Sequence, residues 1–319
     1  MKLNYFIDAG DAALELASVK DEASLFHLRE VIGKIWQADK VAWYDCLACG
    51  TSFAWPFLAC TVEYYNLTYY GELFYPDWKW DYEITFRQLS SMYQAGSRLL
   101  EVGAGNGAFI RRLIGTLIKP ENILCTEFSG YGIEQIRSYG VQCLPVNLHE
   151  LATADYREKF GIICMFQVLE HMESLDEVFE TLRYLAAPGA SLFIVVPNNR
   201  IRNFYDSIGE HLDWPPGHIT RFSPKGLKLL AERHDWFLRE HRYQSTGIPS
   251  QTLLFLDERF QKLRKVKSFV SGISLKPVRK LVYWTCLSLI ALRHVGQVAR
   301  LNAPSNGTSQ WFWLVRKQQ

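Results

Sequence analysis

No stretch of this 319-residue chain is long and apolar enough to read as a membrane span. The longest late apolar run, "LVYWTCLSLIAL" (281–292), is too short and too interrupted. The N-terminal "MKLNYFIDAGDAALELA" lacks the unbroken apolar core of a signal peptide, because Asp8, Asp11 and Glu15 interrupt it. No export and a cytoplasmic location are therefore expected. Cysteine is sparse: seven residues, an odd number scattered over a long chain, read as reduced thiols rather than a disulfide framework. Internal repeats and low-complexity tracts are missing too. At 48% hydrophobic content the chain is globular, with one large domain plus additions or two modest domains.

The most informative absence is of one charge sign. From Arg259 to Gln319 there is no Asp or Glu, while twelve Lys and Arg fall there. The other 258 residues carry 23 basic and 33 acidic side chains, so the formal net charge of +2 hides a strong segregation. A basic segment of this kind favours an anionic partner, whether phosphate-bearing substrate, membrane surface or nucleic acid; a merely solvated face is the alternative. Regular basic and aromatic interleaving is not evident, which sets nucleic acid aside. Seven basic residues lie between Lys262 and Lys280, just before the 281–292 run. Residues 262–298 are accordingly a candidate for peripheral membrane contact, against a core-packing or substrate-roof role.

Before residue 98 the chain reads as irregular and aromatic-rich. After it, short apolar runs alternate with amphipathic segments. "RLLEVG" (98–103), "NILCTEF" (122–128), "VQCLPV" (141–146), "GIICMFQV" (161–168) and "SLFIVVP" (191–197) look like strands buried on both faces. Helical patterns fill the gaps: "AFIRRLIGTLI" ending at Lys119-Pro120, "GIEQIRSYG" ending at Gly140, and "SLDEVFETLRYLA" with Ser174 and Glu177 at capping-box spacing. "FSPKGLKLLAERHD" places Ser223 as N-cap and Pro224 at the first helical position. This alternation predicts an α/β, doubly wound, mostly parallel sheet. Two later strand-like runs, 236–243 and 310–317, enclose a basic helical insertion at about 246–308.

The stretch "LLEVGAGNGAFIRRL" (99–113) carries the main functional signal. Gly103, Gly105 and Gly107 follow a strand and open a helix, as in a dinucleotide fingerprint. Glu101 argues against that ligand, since a carboxylate beside a pyrophosphate costs affinity, whereas a ligand with an ammonium and a sulfonium tolerates or prefers it. The whole segment from Leu99 to Pro197 resembles the class I S-adenosylmethionine-dependent methyltransferases of the small-molecule type. Their first motif is an acid followed by G-x-G-x-G, as in "EVGAGNG"; "FQVLEHM" (166–172) and "APGASLFIVVPN" resemble the fourth motif and the fifth strand. The resemblance implies a seven-stranded Rossmann-like sheet and S-adenosylmethionine as cofactor. It implies cofactor contacts from Glu101, Gly103, Gly105, Gly107, Glu127, Asn147 and Gln167, with Glu127 on the ribose hydroxyls and Asn147 near the adenine amino group.

"WYDCLACGTSFAWPFLACTVEYYNLTYYGELFY" (43–75) resembles the end of the zinc-ribbon lobe of deoxysugar C-methyltransferases. Cys46 and Cys49 match the second of that family's two C-x-x-C pairs, but no cysteine precedes Cys46, so a tetrahedral site lacks half its ligands. A degenerate, metal-free ribbon over 1–75 is expected, followed by a methyltransferase domain over 76–319. "GHITRFS" resembles that family's segment carrying the proposed base. His218 takes the base position, although Gly217 and Pro215 replace the family's neighbouring Glu and Tyr. His171, after the fourth strand, is the second catalytic candidate. "QVLEH" resembles a divalent-metal site of quinone and RNA methyltransferases, but Gln167 replaces its first carboxylate, so no metal is expected. The implied acceptor is small or carrier-linked and anionic, such as a sugar nucleotide or lipid-linked sugar. Alternatives are a lipid or quinone-like acceptor at a membrane surface, an NAD-dependent oxidoreductase, or a non-catalytic binding protein on the same fold.

Overall fold

The computed structural model describes residues 1–17, 21–68, 77–202, 211, 213–245, 273, 275–293 and 307–318. Five apolar runs form parallel strands: β4 (Leu99–Val102), β5 (Ile123–Thr126), β6 (Gln142–Leu144), β7 (Phe160–Phe166) and β8 (Ala186–Pro197). With β10 (Trp236–Tyr243) and β11 (Ser309–Arg316) they make a seven-stranded sheet of order β10-β11-β8-β7-β4-β5-β6, in which β11 runs antiparallel to β8. The expected doubly wound, mostly parallel sheet is therefore present.

The two-residue side-chain period of a strand divides these runs between two cores. Leu100, Leu124, Ile163 and Leu192 face one core with α7 (Leu175–Leu185) and α8 (Pro224–Arg233). Leu99, Ile123, Ile162 and Phe193 face the other, against α4 (Trp80–Met92), α5 (Ala108–Ile114) and α6 (Gly130–Ser138). Glu101 has the parity of Leu99 and so enters the second core, where its register partners are Cys125 and Cys164.

The region before residue 98 is more regular than its sequence suggests. Helices α1 (Ala9–Leu16), α2 (Glu22–Trp36) and α3 (Val62–Thr68) pack with strands β1 (Lys2–Asp8), β2 (Lys40–Asp45) and β3 (Ser52–Trp55) around Trp36, Trp43 and Val41. These strands join β9 (Thr220–Arg221) in a four-stranded sheet of order β1-β2-β3-β9. β9 follows β8 in the chain, so the lobe's sheet is completed by a segment of the later domain.

Local signals held unevenly. Ser223 accepts from the Gly226 N–H and Pro224 opens α8, as expected. Ser174 adopts a left-handed conformation (φ 49°) and makes no capping hydrogen bond, because the chain turns sharply out of the preceding loop there. α5 stops at Ile114, and β8 starts at Ala186, running through the Pro188-Gly189 turn; its pairing with β7 shifts register between Phe160 and Ile162.

Residues 1–199, 211–242 and 309–319 form one compact unit, and residues 200–210 and 243–308 a second. The expected boundary near residue 75 falls in 69–76, outside the described residues. The second unit contains α9 (Lys276–Arg293), the helix anticipated from the 281–292 run; the rest of the insertion at 246–308 lies mostly outside the described residues. All seven cysteines are free thiols, matching the reduced reading. Among the described residues no helix is long and apolar enough to cross a membrane.

Candidate active site

The site lies at the C-terminal ends of the central parallel strands, where crevices open in sheets of this class. After β4 the chain turns through Gly103, Gly105 and Gly107, all at positive φ. A Cβ on Gly103 would stand 2.7 Å from Val168 Cγ2, so the loop approaches the turn after β7 as only glycine permits. Three backbone N–H groups fasten the loop to the end of β5: Gly103 N donates to Thr126 Oγ1 (3.3 Å), Ala104 N to Thr126 O (3.0 Å) and Gly105 N to Glu127 Oε2 (2.7 Å).

Glu101 is 1% exposed, and its Oε2 has no hydrogen-bond partner among the described residues. Burial pushes its carboxyl well above the ordinary glutamate range; the Lys79 ammonium opposes that shift and Glu127 adds to it. Lys79 Nζ itself sits 3.0 Å from Asp81 and 4.5 Å over the Tyr82 ring. Tyr82, Phe109 and Phe166 meet edge-on and tilted around it, with centroids 4.8–5.4 Å apart, an aromatic wall on the Glu101 side of the sheet. A buried carboxylate oxygen with an unused lone pair is a strong attractor for a cationic donor.

The remaining expected cofactor contacts divide. Glu127 carries more than the sequence suggests: Oε1 also accepts from Phe128 N (2.9 Å) and Ser129 N (2.8 Å), so its carboxylate ties the glycine loop to the turn after β5. Burial raises its carboxyl, and these amides hold it down. Asn147 is exposed and opens a 3₁₀ turn, with its N–H donating to Glu150 Oε2 at 2.6 Å. Its backbone is thus fixed as a turn start beyond β6. Gln167 takes a left-handed conformation (φ 60°), unusual for a side-chain-bearing residue, and donates through Nε2 to Ser309 Oγ at 3.2 Å.

The two histidines come together. His171 and His218 rings meet edge-to-face with centroids 4.5 Å apart. The Gly217 carbonyl accepts from His171 Nδ1 at 2.6 Å, which makes Nε2 the acceptor nitrogen of that ring. Burial, reinforced by His218, pushes the His171 imidazole down to about 3, so it stays neutral. His218 Nδ1 lies 3.3 Å from Oδ1 of Asp213, itself buried. Asp213 carries almost no signal in the sequence beyond its place five residues ahead of His218 in "DWPPGHI".

Glu170 is the carboxylate that "QVLEH" keeps. It is fully buried beside His171, and its carbonyl accepts from Ile219 N at 2.9 Å. Glu170, His171 and His218 offer ligand atoms within 4.8 Å of one another, the one such group of three among the described residues. Cys46 and Cys49 gather no third ligand there. They form a tight turn between β2 and β3, in which Gly50 N donates to Cys46 O (2.7 Å) and Cys46 N to Thr51 O (2.8 Å). The backbone N–H and thiol of Cys49 hold the Cys46 thiol below its ordinary range.

The N-terminal lobe walls the histidine pair. The Tyr65 ring lies 6.1 Å from that of His171, a Cβ on Gly217 would meet Tyr64 Oη at 2.9 Å, and Ala59 N donates to Glu173 Oε2 at 2.8 Å. The His218 segment continues into β9, which pairs Thr220 with Phe53 and Arg221 with Ser52. On its other side, fully buried Gln310 donates from Nε2 to Pro197 O (3.0 Å) and Phe222 O (2.7 Å).

Residues 83–241 match a family described as a methyltransferase domain. No curated protein matches the sequence. Among solved structures, one is a complex of the Haloferax volcanii Trm112 methyltransferase activator with a protein named as a methyltransferase. It is 12% identical with a TM-score of 0.50, covering 75% of this chain and 90% of that one. An S-adenosylmethionine-dependent methyltransferase from Archaeoglobus fulgidus is 13% identical with a TM-score of 0.45, over 74% of this chain and 94% of that one. Phosphoethanolamine N-methyltransferase 2 of Haemonchus contortus, solved with S-adenosyl-L-methionine, is 13% identical with a TM-score of 0.43, over 75% of this chain and 53% of that one.

Proposed function

We propose, from the premise that residues 83–241 are a methyltransferase domain and the chain an S-adenosylmethionine-dependent methyltransferase, that it methylates a hydroxyl or an acidic C–H of a small, anionic, carrier-linked acceptor. A sugar nucleotide or lipid-linked sugar is the acceptor class this reading favours. The residues present fit the cofactor: Glu101 offers a buried carboxylate oxygen, unpartnered among the described residues, to the ammonium of its amino-acid end, and Gly103 and Gly105 keep side chains clear of the approach. When bound, S-adenosylmethionine supplies an electrophilic methyl group on a sulfonium.

The chain's own residues then handle the acceptor. His218 takes the acceptor's proton on Nε2, because its Nδ1 faces the Asp213 carboxylate, which orients the ring and stabilises the imidazolium. His171 cannot compete for that proton at neutral pH, since its conjugate acid titrates at about 3. Its role is to position: held by the Gly217 carbonyl, it packs edge-on against His218 and excludes water from one side. The Asp213–His218 pair is the observation that carries this reading.

The lobe supports a sugar-type acceptor by setting half-buried Tyr65 beside His171, with buried Tyr64 packed behind it; the flat face of Tyr65 suits the apolar face of a pyranose. Its Cys46–Cys49 turn has the tight backbone of a ribbon knuckle, consistent with a degenerate zinc ribbon. The test is an acceptor screen of sugar nucleotides and polyprenyl-linked glycans, read by mass for the gain of one methylene. Conversion of acceptors lacking a phosphate at equal rate, with none of the sugar compounds converted, overturns the acceptor class. Failure of the folded chain to bind S-adenosylmethionine in calorimetry overturns the reading at its root.

A further inference from the structure

Helix α9, in the second unit, carries an exposed apolar stripe. At 3.6 residues per turn, Val278, Leu281, Val282, Leu289 and Leu292 fall on one arc of under a third of the circumference, with Leu275 just before the helix. Leu275, Leu281 and Leu292 are 65%, 69% and 68% exposed, and Val278 and Leu289 are exposed as well. A stripe of this extent left in water is costly and marks an interaction surface. Lys276, Arg279 and Lys280 lie on the opposite arc, exposed and without a carboxylate near them in sequence, since no acid occurs between Arg259 and Gln319.

Charge decides what covers the stripe. A second copy of this helix or an apolar protein groove would cover the leucines but leave the basic arc with no anionic partner. An anionic bilayer surface satisfies both arcs at once: the leucines enter the acyl boundary while the lysines and arginine reach the headgroups. The exposed Trp284, at the border between the arcs, has the amphipathic ring that settles at headgroup level. Among the described residues no helix meets the length and hydropathy of a span, so such a helix lies in the interface plane. We infer that α9 is a peripheral membrane-binding helix that docks the protein on anionic lipid. This does not depend on the acceptor reading, because lipid vesicles carry no sugar.

The experiment is flotation of the full chain with phosphatidylcholine vesicles and with vesicles of phosphatidylcholine mixed equally with phosphatidylglycerol. Binding to the anionic vesicles only, weakened by high salt, is expected. L281E/L292E should lower the partition at least about tenfold, and K276Q/R279Q about fivefold per side chain, while S-adenosylmethionine binding in calorimetry stays unchanged and certifies folding. Absence of anionic-vesicle binding by the folded chain overturns the inference. So does binding that L281E/L292E leaves intact, since charge alone would then suffice. A dimer in size-exclusion that L281E/L292E splits, with no vesicle binding, assigns the stripe to a second copy and overturns it equally.

Discussion

Replacing Glu101 by Gln should move stability and cofactor affinity in opposite directions. The side chain is buried in a layer of Cys125, Cys164 and aromatic rings, and its Oε2 has no partner among the described residues. A buried polar group left unpaired costs about 1–3 kcal/mol, and more when charged. E101Q keeps the shape and a buried, unpaired amide but removes the charge, so the ligand-free protein should be more stable where the wild-type carboxyl would have to ionise, read as a Tm rise of roughly 2–4 °C per kcal/mol gained. The wild-type penalty has a pH signature. Because the folded carboxyl titrates above its unfolded value of about 4.3, the stability linked to it is fully present below that pH and is lost as pH rises through the folded value. The Tm gap between E101Q and wild type should therefore widen from pH 5 to pH 8. Affinity runs the other way: losing a charge-assisted hydrogen bond of about 1.5–3 kcal/mol weakens S-adenosylmethionine about ten- to 150-fold. Scanning fluorimetry and calorimetry read the two effects. A lower Tm with unchanged affinity would refute the reasoning, because Glu101 would then be a satisfied structural residue.

Three other outcomes are expected from the same geometry. H218A should lose about 10²–10⁴-fold in kcat with S-adenosylmethionine affinity retained, and D213N should lose less, measured by steady-state kinetics. G103A should destabilise by about 2 kcal/mol or more, since alanine meets both a left-handed backbone and Val168; adding V168A should recover only the steric part in chemical denaturation. Cys46 should react with iodoacetamide at pH 7.5 well before Cys60, because hydrogen bonds lower the first thiol while burial lifts the second to about 11; peptide mapping decides the order.

The five parallel strands were legible because each is buried on both faces, which leaves an unbroken apolar run. The same logic placed Glu101 and the glycines, where a conflict between neighbouring residue types carried the information. α4 was not picked out although Tyr82, Phe86, Leu89 and Met92 recur at helical spacing, because the aromatic-rich run before it reads as irregular and hides where the period begins. Asp213 was invisible for a different reason. Its meaning comes from its contact with His218, and no spacing rule encodes a meeting across a loop. Ser174 shows the converse, a capping pattern present in letters and absent in backbone, because φ at that residue is set by the loop before it.

β9 constrains how this protein can be altered. The strand just after His218 belongs to the sheet of the N-terminal lobe, so the lobe's sheet is stitched from two distant parts of the chain. A chimaera that exchanges residues 1–68 alone would leave the histidine's loop without its edge partner. Any exchange of acceptor specificity between relatives built this way has to transplant 211–223 together with the lobe, two grafts inherited as a pair.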